Sequence, residues 1–250
     1  VSGTADTTVR IAMWSGPRNI STALMRAWEN RADTAVWDEP LYACYLAKTG
    51  LAHPMREEIL AAYETNWRRV AARLVGPAPD GAAVFYQKHM THHLLPSIGR
   101  DWLAGLRHGL LIRSPEEVLA SYAAKRQEVA ADDLGFRQQA ELFDWLADRA
   151  GAAPPVFDAA AILRDPPGAL AAMCAAFGVA FDSSMLRWPA GRRASDGVWA
   201  PHWYGAVEAS TGWQPYRPPS AALPAALSRI ADECRPHYER LRRYATALFP

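Results

Sequence analysis

Five short, mostly apolar runs constrain this chain more than anything else in it. They cover residues 9–14, 34–37, 83–87, 109–112 and 155–159, with helical patterns in the intervals between several of them. That alternation is the signature of βαβ units and a parallel sheet. The run Gly109-Leu110-Leu111-Ile112 is too short for a helix and suits a central strand covered on both faces. The expectation is therefore an α/β fold in three layers, a parallel sheet flanked by helices.

Helical patterns are read at 23–30, 55–75, 136–150, 167–177 and 223–248. The one at 55–75 is taken as a single long helix, stopped by Gly76-Pro77-Ala78-Pro79-Asp80-Gly81. Ser114-Pro115-Glu116-Glu117 supplies a cap, a proline at N1 and a glutamate at N3, which starts another helix. Residues 188–219, rich in Pro, Gly and Trp, are expected to be an irregular lid. With 250 residues and no dividing linker, one domain over 1–250 is expected, with 1–8 a loose tail.

The formal net charge is +1, which argues against broad non-specific binding to nucleic acid or membrane and leaves room for a local basic pocket. Cys44, Cys174 and Cys234 are far apart and lack metal-type spacing. The polar start and the absence of any run near the ~18 apolar residues of a membrane span complete the expectation of a soluble, cytoplasmic protein.

The chemistry is concentrated where strands end. Ser15-Gly16-Pro17-Arg18-Asn19-Ile20-Ser21-Thr22 joins the first strand to a helix, and free N–H groups at a helix start attract anions. Arg18 would add a charge, with Asn19, Ser21 and Thr22 around it. A Walker A loop would carry Gly-Lys where Asn19-Ile20 stand, so this loop is not one. The plain alternative is a helix start beside an exposed arginine. Arg113 ends the fourth strand, where open α/β sheets bind ligands. Ser121, seven residues after Ser114, returns to the same helix face after two turns. Arg113 and Ser121 could grip one phosphate, or could simply belong to a capped helix.

Strand, Pro-Arg-x-x-Ser-Thr loop and helix, followed by Arg-Ser-Pro-x-x-Val-x-x-Ser, resemble the PAPS-dependent sulfotransferases. The resemblance implies a P-loop-type fold and 3′-phosphoadenylyl sulfate (PAPS) as sulfuryl donor. It implies that Arg18, Ser21 and Thr22 bind the 5′-phosphosulfate end, and Arg113 with Ser121 the 3′-phosphate. Ile20 stands where the family often has glycine. Arg192-Arg193-Ala194-Ser195-Asp196-Gly197 with Trp199 is similar to the late basic stretch that closes over the 3′-phosphate, although Ala194 and Ala200 depart from it. A basic surface turn is the alternative for Arg192 and Arg193.

Two proton acceptors follow from the resemblance. Some relatives use a histidine in Lys-x-His, but Lys88-His89-Met90 puts Met90 there and displaces His89 by one. Others use a glutamate after the second strand, where Glu39 stands before Pro40, which is expected to keep it extended. Glu39 is favoured over His89, because a one-residue slip re-aims a strand side chain. Lys88 would stabilise the transferring group, a surface lysine being the plain alternative. Arg18, Lys88 and the loop N–H groups would meet the charge that grows on the oxygen bridging sulfur to the 5′-phosphate. No metal is expected. The acceptor is expected to be a small molecule carrying a hydroxyl or amine. Trp37, Trp199, Trp203, Tyr204 and Trp213 are candidates for its pocket wall, or for core. The rivals are another P-loop transferase, such as a small-molecule kinase, and a nucleotide-binding module that has lost its base.

Overall fold

The computed structural model describes residues 7–123, 129–218 and 222–248. Most of the tail expected at 1–8, and the end of the lid expected at 188–219, lie outside the described residues. Five parallel strands, β1 (Val9–Ser15), β2 (Thr34–Asp38), β3 (Val84–Met90), β4 (Arg107–Ile112) and β5 (Val156–Asp158), form one sheet in the order β2-β3-β1-β4-β5. All five expected strands are present.

β1 is the middle of the molecule. Its residues 11–15 are fully buried, and alternation along the strand feeds two cores. Ile11 and Met13 point to one face, where α1 (Ser21–Glu29) packs with Leu24, Met25 and Trp28. Ala12 and Trp14 point to the other.

The remaining helices follow in chain order. They are α2 (Tyr42–Thr49), α3 (Arg56–Ala62), α4 (Trp67–Val75), α5 (Pro115–Ala123), α6 (Ala131–Leu134) and α7 (Phe136–Ala150), then α8 (Ala159–Arg164), α9 (Pro166–Ala176), α10 (Ala200–Trp203), α11 (Gly205–Glu208) and α12 (Ala225–Leu248). Leu170, Met173 and Cys174 of α9 pack on the α1 face of the sheet. Val70 and Leu74 of α4, Val118 of α5, Leu142 and Phe143 of α7 and Leu241 of α12 cover the opposite face. Three layers result, as expected. Among the described residues no helix is long and apolar enough to cross a membrane.

Three expectations are corrected. The helix at 55–75 is two helices, because Asn66 caps α4 by accepting a hydrogen bond from the Arg68 N–H (3.0 Å). The third strand continues three residues past 87, since β3 pairs with β1 as far as Ser15↔Met90. The segment from 188 contains α10 and α11 and is not wholly irregular.

Register gathers the chemistry. Asp38 lies opposite Lys88, and Ser15 lies between Met90 and Leu111. The residues following β1, β2, β3 and β4 thus leave one edge of the sheet together. β1 hands the chain to one side and β4 returns on the other, so the crevice at this edge is a topological switch point.

Candidate functional site

A cavity of about 440 Å³ opens at that edge. Its wall includes the loop residues 17–23, then Glu39, Lys88, Arg113 and Ser121. The loop turns sharply because Arg18 (φ 61°) and Ile20 (φ 55°) both adopt left-handed backbone. For a β-branched residue this conformation is an outlier, costing about 1–3 kcal/mol. The loop therefore holds at Ile20 the backbone a glycine would take easily. Gly16 is needed for space: a Cβ there would sit 2.4 Å from the Leu134 carbonyl oxygen.

At one end of the cavity two cations meet. Arg18 Nε donates to Ser121 Oγ (2.9 Å), and Arg113 Nη1 donates to the Arg18 carbonyl (2.9 Å). Burial, then the neighbouring Arg113 charge, lower the pKa of Arg18. Glu117 stands 3.8 Å from Arg113, beyond hydrogen-bond reach. Such a crowded pair of guanidinium groups beside a hydroxyl is suited to an anion. The resemblance assigned Arg18 to one phosphate and Arg113 with Ser121 to another; here all three form one group. Asn19 and Ser21 are buried in the same loop, Asn19 donating from Nδ2 to the Leu111 carbonyl (3.2 Å).

The other end is a buried ion cluster. Lys88 Nζ donates to Asp38 Oδ1 (2.8 Å), Glu39 Oε1 (2.5 Å) and Tyr204 Oη (2.9 Å). Tyr204 in turn donates to Asp38 Oδ2 (2.7 Å) and accepts from Trp199 Nε1 (3.0 Å). Lys88 is 1 % exposed, so it is no surface lysine. Burial disfavours its ammonium, but Asp38 and Glu39 together outweigh that and raise its pKa well above the ordinary value. Burial also raises the Glu39 pKa, with Asp38 reinforcing and Lys88 opposing.

Glu39 itself is not extended. Its φ is 42°, with its N–H on the Lys88 carbonyl (2.9 Å) and its own carbonyl accepting from the Tyr42 N–H (3.0 Å). Proline at position 40 disfavours right-handed helix before it and leaves this left-handed turn open. The turn aims the carboxylate into the cavity.

His89 does not reach the cavity. Side chains alternate along β3, so Lys88 and Met90 line the wall while His89 stacks on Trp14 (centroids 4.3 Å apart) in the opposite layer. Burial, then His108 and Lys88, lower its pKa to about 3. It is a neutral core side chain.

Arg192 and Arg193 are not among the cavity residues either. Their turn is anchored on α1 by a buried ion pair, Arg26 with Asp196 (2.6 Å), and Asp196 also accepts the Arg193 backbone N–H (2.8 Å). Arg217 lines the cavity instead. Trp199, Trp203, Tyr204 and Trp213 line it as well. Trp37 does not: it stacks on Phe85 (6.4 Å) under the Arg73 guanidinium (4.5 Å).

The sequence reading assigned no role to Asp38, Tyr42, Tyr45, His53, His93 or Arg217. The Asp38-Glu39-Pro40 string was visible as a strand end. α2, which carries Tyr42 and Tyr45, was not.

A sulfotransferase domain family model matches residues 9–243. Branched-chain-amino-acid aminotransferase-like protein 1 of Arabidopsis thaliana is 34 % identical over 235 residues, covering 94 % of this chain and 42 % of that protein. Branched-chain-amino-acid aminotransferase-like protein 2 of the same organism is 32 % identical over 232 residues, covering 93 % of this chain and 41 % of that protein. The chain thus spans about two fifths of the length of these curated relatives. Among solved structures, a sulfotransferase from Alicyclobacillus acidocaldarius superposes with a TM-score of 0.58 at 12 % identity, covering 95 % of this chain and 96 % of that one. The sulfotransferase domain of the Synechococcus PCC 7002 olefin synthase gives 0.53 at 15 %, covering 93 % and 96 %. At those identities the structures speak for the fold, and the family model speaks for descent. With β1, its loop, β4 and α5 all inside the matched span, this chain belongs to the sulfotransferase domain family.

Proposed function

We propose that the chain moves a sulfuryl group from PAPS to a small-molecule acceptor, with Glu39 as the general base. The observation that carries this reading is the pairing of two unlike ends in one cavity. Arg18, Arg113 and Ser121 offer an anion grip, and Glu39 with Lys88 offers a base beside a cation. In this reading the nucleotide phosphates lie along the loop N–H groups, Ser21, Thr22 and the arginines, and Arg217 would complete the basic wall. As the acceptor oxygen attacks sulfur, its proton passes to Glu39 and negative charge grows on the departing phosphate oxygen. Lys88 has its three N–H bonds committed, and protonation of Glu39 weakens one of them. A donor is thereby released toward the leaving oxygen at the moment it is needed.

The donor half is tested by thermal shift, without metal except where Mg²⁺ accompanies ATP. 3′,5′-ADP at a hundred times its Kd is expected to stabilise the protein by about 2.7 kcal/mol. ADP, AMP, and ATP with Mg²⁺ should do little by comparison. Equal stabilisation by ADP and 3′,5′-ADP would remove the 3′-phosphate site, and preference for ATP with Mg²⁺ would favour a kinase.

The shared hydrogen bond at the anion end yields a second expected result. Arg113→Ala and Arg18→Ala should each weaken 3′,5′-ADP binding by about 2 kcal/mol, the worth of a charge-assisted contact. Titration calorimetry decides it. If Arg113→Ala binds like the parent, the arginine serves only to hold the Arg18 carbonyl.

A further inference from the structure

His93 lies three residues past the end of β3, in the short 3-10 turn Thr91–His93, and its imidazole is used by nothing described so far. It is 2 % exposed and lines the cavity. Its ring is clamped between Tyr42 (centroids 4.6 Å, planes 11° apart) and Tyr45 (4.7 Å, 28°). Thr91 ties the turn to β1 through the Ser15 carbonyl (3.1 Å). The two tyrosines fix the plane of the ring, and Nδ1 is the nitrogen on its Glu39 side. Among the described residues that nitrogen has no hydrogen-bond partner, and it faces Glu39 Oε2 at 4.0 Å.

The gap is too long for a hydrogen bond and short enough to be bridged by one atom. An oxygen about 2.8 Å from both would subtend roughly 90° between them, within the usual range of hydrogen-bond directions. Glu39 Oε1 is occupied by Lys88, which leaves Oε2 as the oxygen that meets such an atom. Which imidazole nitrogen carries the proton follows from charge. A lone pair on Nδ1 would face a carboxylate, whereas an N–H there is attracted by it. Burial, followed by the neighbouring His92 and His53, keeps His93 neutral, so it brings one N–H and no charge.

We propose that His93 and Glu39 together clamp the reacting atom of the acceptor, and that this clamp selects a hydroxyl over an amine. The inference rests on the sulfuryl-transfer reading above. A hydroxyl oxygen has two lone pairs: one accepts the His93 N–H, the other attacks sulfur, and its O–H proton goes to Glu39 Oε2. The new O–S bond forms as the bond from sulfur to the 5′-phosphate oxygen breaks, giving a sulfate ester, 3′,5′-ADP and protonated Glu39. A neutral amine has only one lone pair. If it attacks sulfur, the His93 N–H loses its acceptor and stays buried without a partner; if it accepts from His93, it cannot attack. Alcohols and phenols fit the clamp, and amines conflict with it.

The test uses the full chain, PAPS, and matched probes such as 2-phenylethanol with 2-phenylethylamine, scored by 3′,5′-ADP release. Two variants separate geometry from packing. His93→Phe keeps a ring between the tyrosines and has no donor; His93→Asn carries an amide N–H near the place of Nδ1. The parent is expected to favour the alcohol at least tenfold in kcat/KM. His93→Phe should lose about tenfold on the alcohol and collapse that preference, the worth of one hydrogen bond. His93→Asn should recover much of it, and all three proteins should bind 3′,5′-ADP alike. Equal use of alcohol and amine by the parent, no use of the alcohol, or an unchanged ratio in His93→Phe would overturn the clamp while 3′,5′-ADP binding stays intact. Absent 3′,5′-ADP binding in the parent itself would instead overturn the donor reading, and the clamp with it.

Discussion

Glu39→Gln is expected to bind 3′,5′-ADP as the parent does and to lose about 10²–10⁴ in turnover, the usual share of general acid–base catalysis. The amide keeps the size of the carboxylate and can still accept from Lys88, but it cannot take a proton. Three features of the carboxylate lead to this expectation. It lies in the cavity, its Oε1 is bound to Lys88, and burial raises its pKa. A higher pKa makes a stronger base, and Lys88 keeps enough of it ionised to act. Steady-state turnover beside a 3′,5′-ADP titration separates the effect from a binding defect. An active Glu39→Gln enzyme would mean that another group takes the proton.

The second large effect is on stability, and its origin is the set of histidines that pack as neutral rings. His89 has its pKa lowered to about 3 and His92 to about 4, with His93 and His108 shifted in the same direction, burial being the main cause in each. In the unfolded chain each takes up a proton near pH 6.5. Between that pH and the folded values the unfolded state binds more protons, so stability is full above about 6.5 and falls as the pH drops. The slope is about 1.4 kcal/mol per pH unit for each ring, or about 4 kcal/mol for His89 and His92 together by pH 5. Glu39 works the other way, since its raised pKa favours the folded state as the pH falls, and it offsets at most one of these protons. The expected result is a melting temperature lower at pH 5 than at pH 7 by on the order of 4–16 °C. His89→Phe, which keeps a ring against Trp14, should flatten this dependence by about one proton and leave turnover near the parent's. If turnover died in that variant instead, the displaced histidine would be the base after all.

His89 also shows where the sequence stopped being legible. β3 was read as ending at 87, which left Lys88 and His89 on a loop whose side-chain directions were open. The strand in fact runs to Met90, and alternation alone then sends Lys88 to the cavity and His89 to the core. Arg113 was legible because the Ser-Pro-Glu-Glu start of α5 fixes the strand end to the residue, and the Ser114 hydroxyl does meet the Glu117 N–H (3.4 Å). α2 was missed for a physical reason. Residues 42–46 are all buried, so no amphipathic stripe marks the helix, and Leu41 at its start offers no side-chain cap. The Tyr204 link to Lys88 spans 116 residues, and nothing local signals it. Pro40 argued for an extended Glu39, yet the Lys88 carbonyl and the start of α2 pull that residue into a left-handed turn. Local preference was outweighed there by two backbone hydrogen bonds. The basic pair Arg192-Arg193 had the composition of a phosphate cap, but Asp196 turns its loop toward Arg26 of α1.

The central claim joins the two ends of one cavity: a grip for a 3′-phosphorylated nucleotide and a carboxylate base. Incubation with sulfur-labelled PAPS and an alcohol panel tests both ends at once. The account expects label to appear in a sulfate ester in step with 3′,5′-ADP release by the parent. It expects Glu39→Gln to retain 3′,5′-ADP binding and transfer almost no label. Label transfer by Glu39→Gln at the parent's rate, or none by a parent that binds 3′,5′-ADP, would contradict it.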